Sequence, residues 1–235
     1  MNSETGAGRV GVIVVAAGSG SRLGAGVPKA FVPLGGVPLL GHALRGVLSC
    51  AAVAEVVVVA PESHRSVARS IAEDVCRGAG STSRVTTVVG GAARGDSVAA
   101  GLRALGGEID IVLVHDAARC LTPVEVFDRV AAAVAGGAVA VVPGTAVVDT
   151  IKQVDEAGFV VGTPERSALR AVQTPQGFRR DVLERAHAVS SDATDDAGLV
   201  ERLGERVLVV DGDPRALKVT TPADLDAAAR LLDCP

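Results

Sequence analysis

The chain has 235 residues and a formal net charge of −4; 48% of its residues are apolar, and it contains four Phe but no Tyr or Trp. This length fits one α/β domain, or a domain with a small appendage, and the apolar content is sufficient for a sizeable core of aliphatic side chains. The negative charge and the missing aromatic platforms argue against general binding to nucleic acid or to an anionic membrane, so any anion site must be local.

The cysteines and the N-terminal segment bear on the cellular compartment. Cys50, Cys76, Cys120 and Cys234 are scattered and form no C-x-x-C pair, so we expect reduced thiols rather than a zinc site. Residues 1–8 lack the basic-then-apolar layout of a signal peptide, and no apolar stretch approaches the length of a membrane span. We therefore expect a cytoplasmic protein.

The first element in the chain is an apolar, β-branched run over 10–15, which is short enough to be a buried strand. A glycine-rich loop follows, and its only charges are Arg22 and Lys29. Glycines let backbone N–H groups turn toward an anion, so two cations on a loop directly after a strand point to a polyphosphate site. The alternative is a plain strand-to-helix turn.

Two standard nucleotide motifs do not fit this loop. A Walker motif needs Gly-Lys-Ser/Thr, whereas Lys29 is preceded by proline and followed by alanine. A dinucleotide fingerprint needs G-x-G-x-x-G, and Gly18, Gly20 and Gly24 miss that spacing by one residue. A dinucleotide-binding dehydrogenase is therefore excluded.

Strands and helices then alternate along the chain. The further predicted strands, mostly continuous apolar runs, cover residues 55–60, 84–89, 109–114, 139–142 and 206–210. Seven helices are predicted. Three have defined bounds, 39–50, 63–77 and 197–203, and one runs from the 90–97 turn through Leu105. The other three are one with Thr122 as N-cap and Pro123 at its first position, one that begins at Arg179, and one with Pro222 in its first turn. This alternation predicts a Rossmann-like, mostly parallel sheet with helices on both faces.

In such a sheet, ligands bind beyond the carboxyl ends of the strands. The glycine loop, the 90–97 turn and the segment 115–119 each follow a predicted strand directly, so we expect them at one edge of the sheet. Asp116 on the last of these segments suits a metal ion or a ribose hydroxyl, and Lys218 at the end of the 211–218 loop is a candidate second cation. Each of these residues alone is typical of a surface charge or a helix cap, and their joint placement favours a site.

The segment from about 145 to 170 has a different pattern. Residues 147–154 alternate like a half-exposed strand, 155–158 offer a turn, and 159–161 form a return strand. Such a β-hairpin has little core of its own and needs support. Two supports remain open, exchange of arms with a second copy in a symmetric dimer or packing onto its own domain. We expect a single domain over 1–235 that carries this hairpin as an insertion.

The run Ala16-Ala-Gly-Ser-Gly-Ser-Arg22, followed by Pro28-Lys29, resembles the signature loop of nucleotidyltransferases that join a sugar or polyol phosphate to a nucleotide. In that reaction a phosphate oxygen of the acceptor attacks the α-phosphorus of a nucleoside triphosphate, and pyrophosphate leaves. The protein must position two anions and stabilise the charge between them. Fixed cations such as Arg22, Lys29 and Lys218 suit this task, together with Mg²⁺ held by a carboxylate and the substrate phosphates.

Further motifs make the resemblance more specific. The matching segments are 16–22 with Pro28 and Lys29, 90–91 with 94–98, 115–119, 149–150, Arg166, 173–176, 194–197 and 218–220. His-Asp-Ala-Ala-Arg, Thr-Pro-Gln and the late Lys-Val-Thr together resemble one family nearly end to end, the 2-C-methyl-D-erythritol 4-phosphate cytidylyltransferases (IspD family) of the non-mevalonate isoprenoid pathway.

This resemblance implies that CTP and 2-C-methyl-D-erythritol 4-phosphate are joined with Mg²⁺ and that the protein is a homodimer with exchanged arms. The implied catalytic residues are Arg22, Lys29, Lys218 and Arg166; the implied nucleotide contacts are Ala16, Ala17, Gly18, Gly20, Gly91, Ser97 and Asp116, with Asp116 also at the metal. The implied acceptor contacts are Arg119, Thr150, Arg166, Thr174 and Thr194, of which Thr150 and Arg166 lie on the neighbouring subunit's arm.

The chain departs from the family pattern at three positions, Ala30, Cys120 and Ala216, where Gln, Pro and Asn are often found. None of these removes a needed charge. Two other hypotheses remain, a cytidylyltransferase for ribitol 5-phosphate or another polyol phosphate, and a non-catalytic nucleotide-binding protein. The joint retention of Arg22, Lys29, Asp116, Arg166 and Lys218 speaks against the second.

Overall fold

A mixed eight-stranded sheet runs through the computed structural model, which describes residues 8–18, 20, 23–24, 26–190 and 193–232. The strands in the described residues are β1 Val10–Val15, β2 Pro33–Leu34, β3 Val37–Pro38, β4 Val53–Ala60, β5 Arg84–Val89, β6 Ile111–Asp116, β7 Ala140–Ala146, β8 Gln153–Val154, β9 Val160–Gly162, β10 Arg170–Val172, β11 Gln176–Arg179 and β12 Val207–Asp211. The helices are α1 Leu39–Ser49, α2 Arg65–Ala79, α3 Arg94–Ala104, α4 Val124–Ala135, α5 Arg180–Val189, α6 Asp196–Arg202 and α7 Pro222–Leu232.

The sheet order is β5-β4-β1-β6-β11-β7, with β10 beside β7 and β12 on the outer edge of β7. The pairs β1–β4, β1–β6, β4–β5 and β7–β12 are parallel, whereas β10 and β11 run antiparallel to their neighbours. The predicted Rossmann-like, mostly parallel fold is therefore confirmed.

Helices cover both faces of the sheet, which explains why its strands read as continuous apolar runs. Successive side chains of a strand point to opposite faces, and β1 shows this directly: Val12 and Val14 pack in the cluster that contains α1, α2 and α4, whereas Ile13 packs in the cluster that contains α3, α5 and α6. A third, smaller cluster packs α7 and β2 around the fully buried Val219, next to Lys218.

The sequence pattern missed four short strands, β2, β3, β10 and the antiparallel strand β11. Strand β11 lies between β6 and β7 and buries Phe178 completely. It has four residues and follows Pro175 directly. Because so short a segment shows no clear alternation of apolar and polar residues, the sequence does not distinguish it from the start of α5.

The predicted start of α4, with Thr122 as N-cap and Pro123 as the first helical residue, is one residue too early. The helix begins at Val124, and Pro123 precedes it with extended backbone angles. The hydroxyl of Thr122 donates to the carbonyl of Arg119 at 2.8 Å and does not cap the helix. This contact closes the turn after β6 and leaves the capping role unfilled by a side chain.

The hairpin is present but shorter than predicted. Only Gln153–Val154 and Val160–Gly162 pair as strands, around a turn that contains Gly158. Its apolar side chains are not covered by the rest of the chain; Phe159 is 72% exposed. Elsewhere, none of the helices in the described residues is both long and apolar enough to cross a membrane.

Candidate active site

A cavity of about 410 Å³ opens at the carboxyl ends of β1, β5 and β6. It is lined by residues 15–18, Lys29, Ala30, 91–94, Ser97, 116–118 and Lys218. The loops after three parallel strands therefore meet at one edge of the sheet, as the sequence predicts. Six of the residues expected to contact a nucleotide line this cavity: Ala16, Ala17, Gly18, Gly91, Ser97 and Asp116.

Asp116 is the carboxylate at the centre of this cavity. It ends β6 and is 8% exposed, and its Oδ2 lies 2.7 Å from Nζ of Lys218. The guanidinium of Arg94 lies 3.5 Å from its other oxygen. Burial alone would raise the pKa of Asp116, but the charges of Arg94 and Lys218 outweigh burial and lower it to about 2. The carboxylate is therefore ionised throughout the physiological range.

The position of Lys218 follows from its neighbour in the chain. Val219 is fully buried, and its backbone N–H donates to the carbonyl of Ala118 at 2.8 Å. This bond ties the loop that carries Lys218 to the loop after β6. The late Lys-Val-Thr motif is thereby brought beside Asp116, although the two are far apart in sequence.

The side chain of Thr174 holds the backbone of Asp116. The Thr174 hydroxyl accepts from the N–H of Asp116 at 3.1 Å and shares a hydrogen bond with Nδ1 of His115 at 3.0 Å. His115 is fully buried, and its ring packs 4.9 Å from that of Phe127. Burial lowers the pKa of His115 to about 4. Thr174 and His115 thus support the end of β6 from inside the core.

This buried histidine predicts a loss of stability on mild acidification. The unfolded chain binds a proton at the ordinary histidine pKa of 6.5, whereas folded His115 stays neutral until about pH 4. The unfolded state therefore binds more protons in that window, and the free energy of unfolding falls as the pH drops through it. Urea unfolding of wild type and His115→Gln at several pH values checks this. We expect a flatter pH dependence for His115→Gln; equal slopes would contradict the prediction.

Two glycines allow close packing of the loops that form the cavity. Gly20 has a positive φ of 65°, and a Cβ there would come within 2.4 Å of Cβ of Lys29. At Gly91 a Cβ would lie 2.2 Å from Cβ of Asp96. Glycine at these positions lets the first loop pack against Lys29 and lets the second loop close over the start of α3. Arg22, on the first loop, lies outside the described residues.

Arg94, for which no role was predicted, lies in the cavity wall. It is the first residue of α3, and its Nη1 donates to Oδ2 of Asp196 at 2.7 Å. A cation on a glycine-rich turn directly after a strand is the same signal that singled out Arg22 and Lys29. Applied to the second glycine-rich turn, it identifies Arg94. Ser97 follows one turn later, buried, with its hydroxyl donating to Ala93 at 3.1 Å.

The residues expected at the acceptor lie outside the cavity lining. Arg119 donates to the carbonyls of Ala216 at 2.7 Å and Val172 at 3.0 Å, so it ties the Lys218 loop to β10. Thr194 is exposed and directly precedes Asp195, whose side chain caps α6. Arg119 and Thr194 thus lie on different elements, and neither lines the cavity.

Thr150 and Arg166 lie on the arm, and both are exposed. Nη1 of Arg166 donates to the carbonyl of Val148 at 2.7 Å, which fixes the side chain along the base of the hairpin. Neither residue lines the cavity of its own chain.

The departures from the family pattern are packed into the protein. Ala30, Cys120 and Ala216 are all buried. Burial raises the pKa of the Cys120 thiol to about 12, so this thiol is not a nucleophile at neutral pH. These positions therefore support the loops without presenting reactive groups.

Asp116 also decides whether the site suits a divalent metal. Within the described ranges there is no group of three or more His, Cys, Asp or Glu side chains that could hold a metal ion, and Asp116 is the one carboxylate in the cavity lining. Mg²⁺ usually takes one or two carboxylates and completes its shell with waters and substrate phosphates. The donor set here fits that kind of shared site and does not fit a metal held by protein alone.

Strand-end loops that bring glycines, lysines and one ionised carboxylate into a single cavity suit a nucleotidyltransferase, which works by positioning phosphates and stabilising their charge. The model of the family IspD, 2-C-methyl-D-erythritol 4-phosphate cytidylyltransferase, matches residues 10–233. The chain belongs to this family, whose members act in the non-mevalonate isoprenoid pathway, and the family predicted from the sequence is confirmed.

Individual relatives agree with this membership. The 2-C-methyl-D-erythritol 4-phosphate cytidylyltransferase of Nocardia farcinica is 50% identical over 235 residues, which cover 99% of this chain and 98% of the relative. The crystal structure of 4-diphosphocytidyl-2C-methyl-D-erythritol synthase from Anaerococcus prevotii superposes with a TM-score of 0.83 at 28% identity and covers 96% of this chain and 98% of its own.

One relative is longer than this chain. The bifunctional enzyme IspD/IspF of Clavibacter michiganensis is 52% identical over 225 residues, which are 95% of this chain but 54% of that protein. The chain thus spans about half of the bifunctional enzyme, and its similarity to that enzyme concerns the matched part alone.

Proposed function

We propose that the cavity at the ends of β1, β5 and β6 is where CTP and 2-C-methyl-D-erythritol 4-phosphate react to give 4-diphosphocytidyl-2-C-methyl-D-erythritol and pyrophosphate. The observation that carries this proposal is the cluster of Lys218, Asp116 and Arg94, joined by contacts of 2.7 and 3.5 Å in the lining of a cavity that also contains Gly18 and Gly91. Such a cluster presents fixed charges of both signs to a metal–triphosphate complex.

The chemistry requires little of the protein beyond position and charge. An oxygen of the acceptor phosphate attacks the α-phosphorus of CTP, and the bond from that phosphorus to the bridging oxygen of the β-phosphate breaks. Lys218 and Lys29, with Arg22, stabilise the negative charge that accumulates on the α-phosphate and on the leaving pyrophosphate. Cations held in place before the reaction are effective because they need no reorganisation at the transition state.

The nucleotide is held by the two glycine-rich loops in this proposal. The backbone of Ala16, Ala17, Gly18 and Gly20 faces the triphosphate, and Gly91 and Ser97 face the cytosine edge. Lys29 of the first loop and Ser97 of the second both line the cavity, which supports this division. Asp116 lies between the loops and serves the ribose and the metal.

A divalent cation, Mg²⁺ in this proposal, would be held by Asp116 together with the substrate phosphates, and when bound it would neutralise phosphate charge. The chain's own part is to keep Asp116 ionised. The low pKa of Asp116 supports this role, since the carboxylate stays charged at any pH at which the enzyme would work.

The acceptor is assigned to the arm of a second subunit in a homodimer. The exposed Phe159 and its apolar neighbours on the arm support this assignment, since an isolated hairpin of this size needs a surface to pack on. Arg166 and Thr150 would hold the acceptor phosphate from that arm, and Arg119 and Thr194 would lie near the polyol. Thr174 would act on this region from the core, through its hydrogen bond with the backbone of Asp116.

We further propose that the whole chain acts as a single nucleotidyltransferase domain, with the arm as its insertion, and that it works in the cytoplasm. The free thiols at Cys50, Cys76 and Cys120 support a reducing compartment.

The test is a panel of acceptors with CTP held constant, in which release of pyrophosphate is measured with and without Mg²⁺. We expect release that depends on both Mg²⁺ and 2-C-methyl-D-erythritol 4-phosphate, with ATP, GTP and UTP as poor substitutes for CTP. Faster turnover with ribitol 5-phosphate would overturn the acceptor assignment. No turnover with any polyol phosphate, combined with tight CTP binding, would favour a non-catalytic binding protein.

A further inference from the structure

A chain of charged and polar contacts leads from the cavity wall to a histidine on α5. Asp116 contacts Arg94 at 3.5 Å, Arg94 donates to Asp196 at 2.7 Å, and Nε2 of His187 lies 2.9 Å from the other oxygen of Asp196. The four residues come from β6, α3, α6 and α5, so the contacts join separate elements of the fold.

The carboxylate of Asp196 is held by a donor on each of its two oxygens. Its side chain is 1% exposed, and one oxygen accepts from Arg94 while the other accepts from His187. Since both oxygens have a donor, the carboxylate plane is fixed. A buried carboxylate that lost one of these donors would be left with an unpaired oxygen, which is costly, so it would rotate toward another partner.

Arg94 depends on Asp196 for its orientation. The contact of Arg94 with Asp196 is 0.8 Å shorter than its contact with Asp116 (3.5 Å less 2.7 Å), so Asp196 is the tighter partner. The guanidinium is planar and rigid, and fixing one of its nitrogens sets the direction of the others. Asp196 thus determines how Arg94 faces Asp116 in the cavity wall.

Burial of the His187 side chain costs free energy, because one of its ring nitrogens has no hydrogen bond to any described residue. Its side chain is 5% exposed, and its Nδ1 has no hydrogen-bond partner in the part of the chain that the structure describes. A leucine at this place on α5 would avoid the unpaired nitrogen. The benefit that offsets this cost is the Nε2–H that holds Asp196.

We propose that His187 is a positioning residue for nucleotide binding, acting through Asp196 and Arg94 on the carboxylate of Asp116. It does not touch the cavity. This inference rests on the proposed assignment of the cavity to CTP. Because metal-holding carboxylates depend on the groups that orient them, loss of the His187 donor should weaken binding of CTP with Mg²⁺ by about 10-fold.

The experiment compares three substitutions at this one position by calorimetric titration with CTP in the presence of Mg²⁺. Gln places its amide nitrogen where Nε2 of histidine lies, whereas Asn reaches only the position of Nδ1, and Leu has no donor. We expect His187→Gln to bind CTP like wild type, and His187→Asn and His187→Leu to bind it about 10-fold more weakly. The Gln and Asn variants decide the question if the Leu variant does not fold.

His42 provides a matched control. It is also buried, and its Nε2 has one hydrogen-bond partner, the carbonyl of Leu34 at 2.9 Å, but it lies on α1 away from the cavity. His42→Leu should lower the thermal unfolding midpoint without changing CTP affinity. If His187→Asn and His187→Leu bound CTP with wild-type affinity, this inference would be overturned. It would also be overturned if His187→Gln bound CTP as weakly as His187→Asn. Neither result would affect the proposed function. A wild-type protein that binds no CTP would overturn the proposed function and this inference with it.

Discussion

Replacing Asp116 by asparagine is expected to lower kcat by about 10²-fold, with a higher Mg²⁺ concentration needed for half-maximal rate. The carboxylate is paired with Lys218 at 2.7 Å and faces Arg94 at 3.5 Å. Asparagine keeps the shape of the side chain but carries no charge. Lys218 and Arg94 would lose their common partner, and the metal would lose the one carboxylate that lines the cavity in the described ranges.

Asp110 is a suitable control because it lies just before the other end of the same strand. It accepts a hydrogen bond from the backbone N–H of Arg9 at 3.2 Å and does not line the cavity. Steady-state kinetics at increasing Mg²⁺ should give near-wild-type kcat for Asp110→Asn. If Asp116→Asn also had near-wild-type kcat at saturating Mg²⁺, the predicted role of Asp116 in the reaction would be contradicted.

Mixing two inactive variants is expected to restore activity if the arm completes the site of the neighbouring subunit. Lys29→Ala and Arg166→Ala should each lower kcat by about 10²-fold, since each removes a fixed cation from a doubly anionic reaction. In a mixed dimer with exchanged arms, one site carries both defects and the other carries neither. Random pairing should therefore recover about a quarter of the wild-type rate, because half of the dimers are mixed and half of their sites are intact.

A second mixture controls for any general effect of mixing. Lys29 and Lys218 both line the cavity of one chain, so mixed Lys29→Ala and Lys218→Ala subunits have a defect in every site. This mixture should stay inactive. Failure of the Lys29→Ala and Arg166→Ala mixture to recover, with subunit exchange verified by differently tagged chains, would place Arg166 in the site of its own chain.

Much of the fold could be predicted because its signals are local. The run 10–15 became β1 and the run 84–89 became β5 with unchanged bounds. Both faces of the sheet are covered by helices, so the buried strands are apolar throughout and easy to recognise. The start of α4 was wrong by one residue because the Thr122 hydroxyl donates to the carbonyl of Arg119 instead of capping the helix, which a capping pattern cannot anticipate.

The site could be predicted in part for the same reason. Glycine-rich loops after strands and the residue Asp116 at a strand end are visible in sequence, and the parallel sheet brings them to one edge. Arg94 was missed although its signal, a cation on a glycine-rich turn after a strand, is visible in the sequence. Its partner Asp196 lies 102 positions later in the chain, so their contact could not be predicted. His187 gave no signal, since a lone histidine on a helix has the same pattern whether it holds a carboxylate or fills the core.

The sequence by itself determined the class of fold, the family, and the kinds of charge available for the reaction, because periodicity and motif spacing depend on residues that are close along the chain. Only the tertiary structure decided that Lys218 pairs with Asp116, that Arg94 faces both Asp116 and Asp196, and that β11 runs antiparallel between β6 and β7. These contacts join residues that are distant in sequence, and which of them form depends on how the helices and loops pack against the sheet.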